Sequence, residues 1–447
     1  MHQSTPTDVQ DVINAHPLSS MQRWVIALCF LVVAIDGFDT AAIGFIAPAL
    51  RAQWGVTPAQ LAPLFGAGLF GLMVGAFIFG PLADKFGRRP VLVATTLFFG
   101  LATLASALAT SVESLVLLRF VTGLGLGGAM PAAITLTSEF CPEQRRSSLV
   151  TIMFCGFTIG SASAGLAASH VVSAYGWQGL LVLGGLLPVA LTIVLLAMLP
   201  ESVRYLVLKQ SKPEKVRALL QQITGKELPE DATFTGTVKP SGSPALDLFR
   251  NGLAGGTLLI WTTFFMSLLV FYLLSSWLPL LITTAGFSMA NASLMAATLA
   301  AGGTVGAVVI GRFMDRHDPH RVLALAYLLA GGFVIALGAT VSAPWLLVAS
   351  IFGAGFGVAG AQVGVNALAA AYYLTAIRAT GVSWANAVGR TGSVLGSMVG
   401  GFLLSLGWDL TTVFSVAAGP LFIAAVAMLV KASLGARKQA LQPVAAE

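Results

Sequence analysis

Twelve runs of about twenty apolar residues follow one another along this chain, at 24–48, 61–82, 90–110, 115–138, 148–170, 179–199, 255–279, 291–312, 322–342, 345–367, 381–404 and 411–432. A helix that crosses a bilayer needs roughly 20 such residues. Inside hydrocarbon every backbone N–H and C=O must find its partner within the chain, which leaves helices and closed barrels, and long runs without strict alternation are helices. Composition agrees: 56% of the 447 residues are hydrophobic and 9% charged, with a mean hydropathy of +0.86, whereas a soluble domain carries about a quarter charged residues. The sequence therefore predicts an all-α membrane protein with twelve transmembrane helices.

Six runs precede the polar stretch from 201 to 250 and six follow it. The segment GPLADKFGRRP (80–90) after the second run is echoed by GRFMDRHDPHR (311–321) after the eighth, with Gly80 and Asp84 matched by Gly311 and Asp315. Two six-helix bundles related by an internal repeat are a transporter architecture. The expected organisation is an N-terminal tail (1–23), a first bundle (24–200), a linker (201–254), a second bundle (255–432) and a C-terminal tail (433–447). The N-terminal tail contains Asp8, Asp11 and Pro17 and lacks the pattern of a cleaved signal peptide, so none is expected.

The net charge of +6 has to be read loop by loop. Alternate connections, taken with both tails, hold 21 of the 24 Lys and Arg residues; the opposite set holds Arg51, and Arg119 and Arg390 fall within runs. The positive-inside rule then places both termini and the linker in the cytoplasm. The basic excess reflects orientation and contact with the lipid bilayer, and no nucleic-acid partner is expected. Cys29, Cys141 and Cys155 lie in or beside apolar runs and form no C-x-x-C pair, and His317 and His320 have no third ligand nearby, so no metal is expected. GLGLGG (123–128) fits a dinucleotide pattern but lies inside a run, where glycines serve close helix approach. Neither H-E-x-x-H nor G-x-S-x-G occurs, which argues against an enzyme. A signalling receptor would need a larger soluble domain than the roughly fifty-residue linker provides.

Charge inside the runs is the chemical content. DGFDTAAIGFIAPAL (36–50) puts Asp36 and Asp39 into the first run, although an ionised Asp at a helix centre costs about 2.5 to 3.5 kcal/mol on insertion scales. Three residues apart, the two share one helix face. Counting 1.5 Å per residue from the same membrane side, Asp39 lies roughly 13 Å deep and Arg119 roughly 6 Å, with a long side chain to close the difference. The pair can meet if their helices are neighbours. Competing readings are a polar pair that packs the helix near Gly37 and Gly44, and an Arg119 that only reaches back to the interface. Arg390 lies roughly 14 Å into the eleventh run, near the midplane. There it either anchors a carboxylate or joins a structural ion pair.

Three motifs in topological order resemble the major facilitator superfamily over the whole chain: G-x-L-A-D-x-x-G-R-R from Gly80 to Arg89, LRFVTGLGLGG (118–128) and PESVRYL (200–206). Within that superfamily, DGFDTAAIGFIAPAL together with RATGVSWANAVGR (378–390) resembles the aromatic acid:proton symporter family, most closely its 4-hydroxybenzoate and protocatechuate transporters. The resemblance implies the major facilitator fold and proton-driven uptake of a small aromatic carboxylate across a bacterial inner membrane, with the proton as coupling ion, no other cofactor, and a monomer as the working unit. Proton-driven transport or export of another organic anion or small solute, such as benzoate, gentisate, muconate or a sugar-like molecule, is the alternative.

On this reading Asp39, which also resembles the first-span Asp of proton-coupled sugar porters, is the proton carrier, with Asp36 and Arg119 as its partners in coupling. Arg390 anchors the substrate carboxylate. Asn386, Tyr272, Gln362, Asn366 and Trp384, with Trp261, are candidates to line the substrate site, each with a packing role as the competing reading. Gly80, Asp84, Gly87, Arg88, Arg89, Glu139, Arg146, Asp315, Arg316 and Arg378 are expected at the cytoplasmic face, where opposite charges would pair and part during gating.

Overall fold

A computed structural model describes residues 7–209, 213–226, 234–235, 245–250, 252–373 and 377–441, so parts of the expected tails and linker lie outside the described residues. The chain forms α1 (Val9–Asn14), α2 (Ser20–Trp54), α3 (Pro58–Phe86), α4 (Arg88–Ser106), α5 (Val112–Phe140), α6 (Glu143–Met198), α7 (Val203–Leu208), α8 (Pro213–Thr224), α9 (Ala254–Thr284), α10 (Met289–Met314), α11 (Pro319–Ala339), α12 (Pro344–Tyr372), α13 (Arg378–Ser405) and α14 (Leu410–Leu441). Among the described residues, eleven of these are long and apolar enough to cross a bilayer. One of them, α6, has 56 residues and would run about 84 Å at 1.5 Å per residue, far beyond the roughly 30 Å of a hydrocarbon core. It breaks at Gly176, whose φ of 71° suits a residue without a Cβ. Each arm is long enough to span, which makes the expected twelve crossings.

The helices group into two compact units. The first comprises Met1–Thr40, Phe70–Gly160 and Leu181–Pro240, and the second Ala41–Leu69, Ser161–Leu180 and Ser241–Glu447. In the first, α3 lies against α5 so closely that a side chain at Gly71 would strike the Phe120 carbonyl and one at Gly75 the Leu124 carbonyl, while Gly160 on α6 meets Ala34 on α2 in the same way. In the second, Gly302 meets Phe352, Gly306 meets Phe356 and Gly392 meets Phe265. Each of these crossings stands within one residue of the 231-residue offset that relates Gly80 to Gly311. The repeat seen in the loop motifs is therefore a repeat of helix crossings, set by glycines that let backbones touch. GLGLGG belongs to this scaffold: Gly125 faces Phe99, and Gly127 faces the backbone of Leu72 and Ala76.

The second unit also contains the ends of α2 and α3 that flank their connecting turn. Gly44 on α2 packs on the Ser275 carbonyl of α9, Phe65 stands edge-on to Trp277 with ring centroids 4.9 Å apart, and Trp177 Nε1 donates to Gln53 Oε1 at 2.7 Å.

The tail and linker are more ordered than a polar reading predicts. Thr7–Asp8 (β1) pairs in parallel with Phe234–Thr235 (β2). Val9 and Ile13 of α1 join Val216, Leu220 and Ile223 of α8 in the core of the first unit. Gln10 Nε2 donates to the Cys141 carbonyl at 3.2 Å, Gln22 Nε2 to the Phe140 carbonyl at 2.7 Å, and the Glu143 N–H to Asn14 Oδ1 at 2.9 Å. These bonds satisfy backbone groups that the end of α5 and the start of α6 leave open.

Candidate functional site

In the first unit, α2, α4 and α5 bring three polar side chains together inside an apolar core. Arg119 Nη1 lies 3.2 Å from Asp39 Oδ2 and 3.3 Å from Oδ1, and Nη2 lies 3.3 Å from Oδ1. Thr103 completes a triangle, donating to Asp39 Oδ1 at 2.8 Å and accepting from Arg119 Nη2 at 3.2 Å. Asp39 and Arg119 are each 2% exposed. The contact expected from helix depth is thus made, and neither charge reaches back to an interface. Asp36 is 1% exposed, and its Oδ1 accepts from Thr40 Oγ1 at 3.2 Å. Sequence reasoning missed Thr103, because a threonine in an apolar helix ordinarily bonds its own backbone, as Thr95, Thr96 and Thr122 do here.

The second unit arranges its polar groups as a ladder on three helices. Arg390 Nη1 of α13 donates to the Tyr272 hydroxyl of α9 at 3.2 Å, with Tyr272 buried and Arg390 half-buried. One turn earlier on α13, Asn386 Nδ2 donates to Asn366 Oδ1 of α12 at 3.3 Å and to the Val382 carbonyl at 2.9 Å. Asn366 Nδ2 in turn donates to the Gln362 backbone carbonyl at 2.9 Å. The Gln362 Oε1 atom is buried and has no partner among the described residues. The paired asparagines therefore brace α12 to α13. Trp384 stacks on Trp261 at 5.9 Å between centroids, and Phe249 meets Trp261 edge-on at 5.5 Å.

The expected charge cluster forms at the first copy of the loop motif. Arg88 Nη2 lies 2.9 Å from Asp84 and 3.3 Å from Glu139, and its guanidinium sits 5.4 Å from the centre of the Tyr205 ring. The organising group is one the sequence reading did not single out: Glu201 Oε1 accepts from the backbone N–H of Arg88 at 3.1 Å, of Arg89 at 3.3 Å and of Ser202 at 2.8 Å. It caps the start of α4, where the helix dipole favours an anion. Gly87, at φ 109°, is required beside it, since a side chain there would strike the Glu201 carboxylate. Burial pushes the Glu201 carboxyl above the ordinary carboxylate range in spite of these bonds. Arg89 Nη2 donates to the Leu196 carbonyl at 2.7 Å. Arg146 pairs with Glu143 at 3.7 Å.

Other members of the gating set are not drawn together. Gly80 faces open space. Among the described residues, Asp315 and Arg316 of the second motif copy form no side-chain ion pair, and Asp315 serves as the C-cap of α10. The reason is legible: the positions of the second half that lie 231 or 232 residues beyond Glu139 and Glu201 hold no acid, being Ala370 and Ala371, and Ala432 and Ser433. The repeat copied the motif without its acidic partners. Arg378 is exposed, and its Nε lies 3.5 Å from the Tyr373 carbonyl.

A family model of the Major Facilitator Superfamily matches residues 29–343 and 286–444. The chain is 46% identical over 428 residues to the 4-hydroxybenzoate transporter of Pseudomonas aeruginosa and 42% identical over 425 residues to the gallate transporter of Pseudomonas putida, each alignment covering 95% of both chains. Among solved structures, the inward open conformation of the xylose transporter XylE from E. coli superimposes with a TM-score of 0.74 at 17% identity, covering 91% of this chain and 95% of that one.

Proposed function

We propose, from the premise that this chain belongs to the major facilitator superfamily, that it carries a small hydroxylated aromatic carboxylate of the 4-hydroxybenzoate or protocatechuate kind into the cell together with a proton. It is a multi-pass membrane transporter rather than an enzyme. The membrane is the bacterial inner membrane, with both termini cytoplasmic in accord with the basic loops. Support for the substrate class comes from identity, over almost the whole chain, to transporters named for 4-hydroxybenzoate and gallate.

Arg390 is assigned to the substrate carboxylate. A guanidinium presents two parallel N–H groups that match a carboxylate, and the Tyr272 hydroxyl holds it in place. Coupling is assigned to Asp39. Burial strengthens a carboxylate's hold on a proton and an adjacent guanidinium weakens it. An Asp39 that loses Arg119 takes up a proton, and one that regains Arg119 releases it. Thr103, bonded to both, keeps the pair aligned when it re-forms. Asp36, on the same helix face, tunes Asp39 or holds a second proton. One proton with a monoanion moves no net charge, whereas a second proton would couple transport to about 2.3 kcal/mol per 100 mV of membrane potential.

The observation that carries the coupling is the buried Asp39–Arg119 pair, a cost that packing alone does not demand. The test is accumulation of labelled 4-hydroxybenzoate by cells expressing the protein, with and without a protonophore. Accumulation that collapses with the proton gradient supports the reading; gradient-independent equilibration removes the coupling, and absence of uptake removes the substrate class.

A further inference from the structure

Four amide and phenol side chains in the second unit were candidates to contact a substrate, and their hydrogen bonds separate them. Asn366 donates from Nδ2 to the Gln362 carbonyl and accepts at Oδ1 from Asn386 Nδ2. Asn386 divides its Nδ2 between Asn366 and Val382. Tyr272 accepts from Arg390. Gln362 alone among the four has a buried side-chain oxygen with no donor among the described residues.

Helix register says where that oxygen lies. The helices α12 and α13 are consecutive, ending at Tyr372 and starting at Arg378, and the Asn366–Asn386 bond fixes their alignment. One helical turn further from those adjoining ends, on the same face of each helix, stand Gln362 and Arg390. At 1.5 Å per residue they lie roughly 15 and 18 Å from the ends. A guanidinium and a vacant acceptor thus occupy one level on facing helices.

We propose that Gln362 Oε1 accepts the hydrogen bond of the substrate's ring hydroxyl while Arg390 holds its carboxylate, so that this amide makes the transporter selective for hydroxylated over plain benzoates. The inference rests on the aromatic-acid reading above and adds its specificity determinant. In the orientation the structure shows, the amide offers its oxygen, and that oxygen pairs with a donor. A phenol O–H satisfies Gln362, whereas an unsubstituted ring seals it from water and leaves it unmet, and a site built to bond a hydroxyl rejects the analogue that lacks one.

Affinities measured by titration calorimetry on the purified full-length transporter test this with four benzoates, bearing hydroxyl, amino, methoxy or fluoro at the 4-position. The first two carry a donor and the last two do not. The wild type is expected to bind the hydroxy compound about tenfold more tightly than the fluoro compound, with amino grouping with hydroxy and methoxy with fluoro. In Gln362→Leu and Gln362→Met the hydroxy-to-fluoro ratio should fall to within about twofold. Equal affinity for hydroxy and methoxy compounds in the wild type overturns the assignment, as does a tenfold ratio that persists in either variant. If neither variant folds, the wild-type panel decides alone. A wild type that binds none of the four refutes the aromatic-acid reading itself, a different result from binding all four equally.

Discussion

Arg119 and Asp39 form a contact whose removal can be assigned a size. Both side chains are 2% exposed, with three N–H to carboxylate contacts of 3.2 to 3.3 Å and a Thr103 hydroxyl bridging them. Arg119→Met leaves a buried acid that must either bear an unpaired charge or take up a proton at neutral pH, and Asp39→Leu leaves a guanidinium in the apolar core. Breaking a buried pair from one side typically costs about 3 to 5 kcal/mol. Replacing both members by hydrophobic residues of similar volume is often neutral. At about 2 to 4 °C per kcal/mol for a unit of this size, each single variant should melt roughly 6 to 20 °C below the wild type. The double variant Asp39→Leu/Arg119→Met should recover most of that loss. The assay is thermal unfolding of the detergent-purified protein followed by intrinsic fluorescence, with the four proteins compared as a double-mutant cycle. Single-variant losses that simply add in the double variant would refute the claim that these two charges are energetically one unit.

Arg390→Ala is expected to abolish measurable substrate binding while Arg390→Lys keeps a fraction, because a lysine retains the charge without the bidentate fork; wild-type affinity in both, by calorimetry, removes the anchor. At Glu201 the acceptor and the charge can be separated. Glu201→Ala strips the cap of three N–H groups and should cost about 1 to 2 kcal/mol. Glu201→Gln keeps an acceptor and removes a charge that burial disfavours. Since the folded carboxyl titrates above its ordinary 4.5, the wild type loses stability as pH rises from 4.5 through the raised value. The glutamine variant should therefore melt at or above the wild type at neutral pH, with the difference shrinking as pH falls toward 4.5. A pH-independent difference in melting temperature contradicts this.

The spans were legible because twenty apolar residues in a row leave the backbone few other ways to pair in lipid. Their ends were less so: α2 runs from Ser20 to Trp54 rather than 24–48, since its helix continues into the polar regions at both ends. Helix depth brought Asp39 and Arg119 together, since both fall on the same length scale, but it had no means to add Thr103 from a third helix. Glu201 stood in a motif that carried only a resemblance; its role comes from a fold that returns residue 201 to the start of α4. The packing of α1 on α8 could have been found, because PEKVRALLQQIT places Val216, Leu220 and Ile223 on one helical face. For the polar ladder of the second unit, the sequence singled out residues that the fold brings together but not how their hydrogen bonds divide. Which amide is spent on a neighbouring helix depends on the register of α12 against α13, which composition does not encode.

Proteoliposomes containing the purified transporter test most directly whether Asp39 couples a proton to the substrate. With an inwardly directed pH gradient, the wild type should concentrate labelled 4-hydroxybenzoate, whereas Asp39→Asn should fail to concentrate it and yet exchange internal for external label. Uphill accumulation by Asp39→Asn equal to that of the wild type would contradict the account.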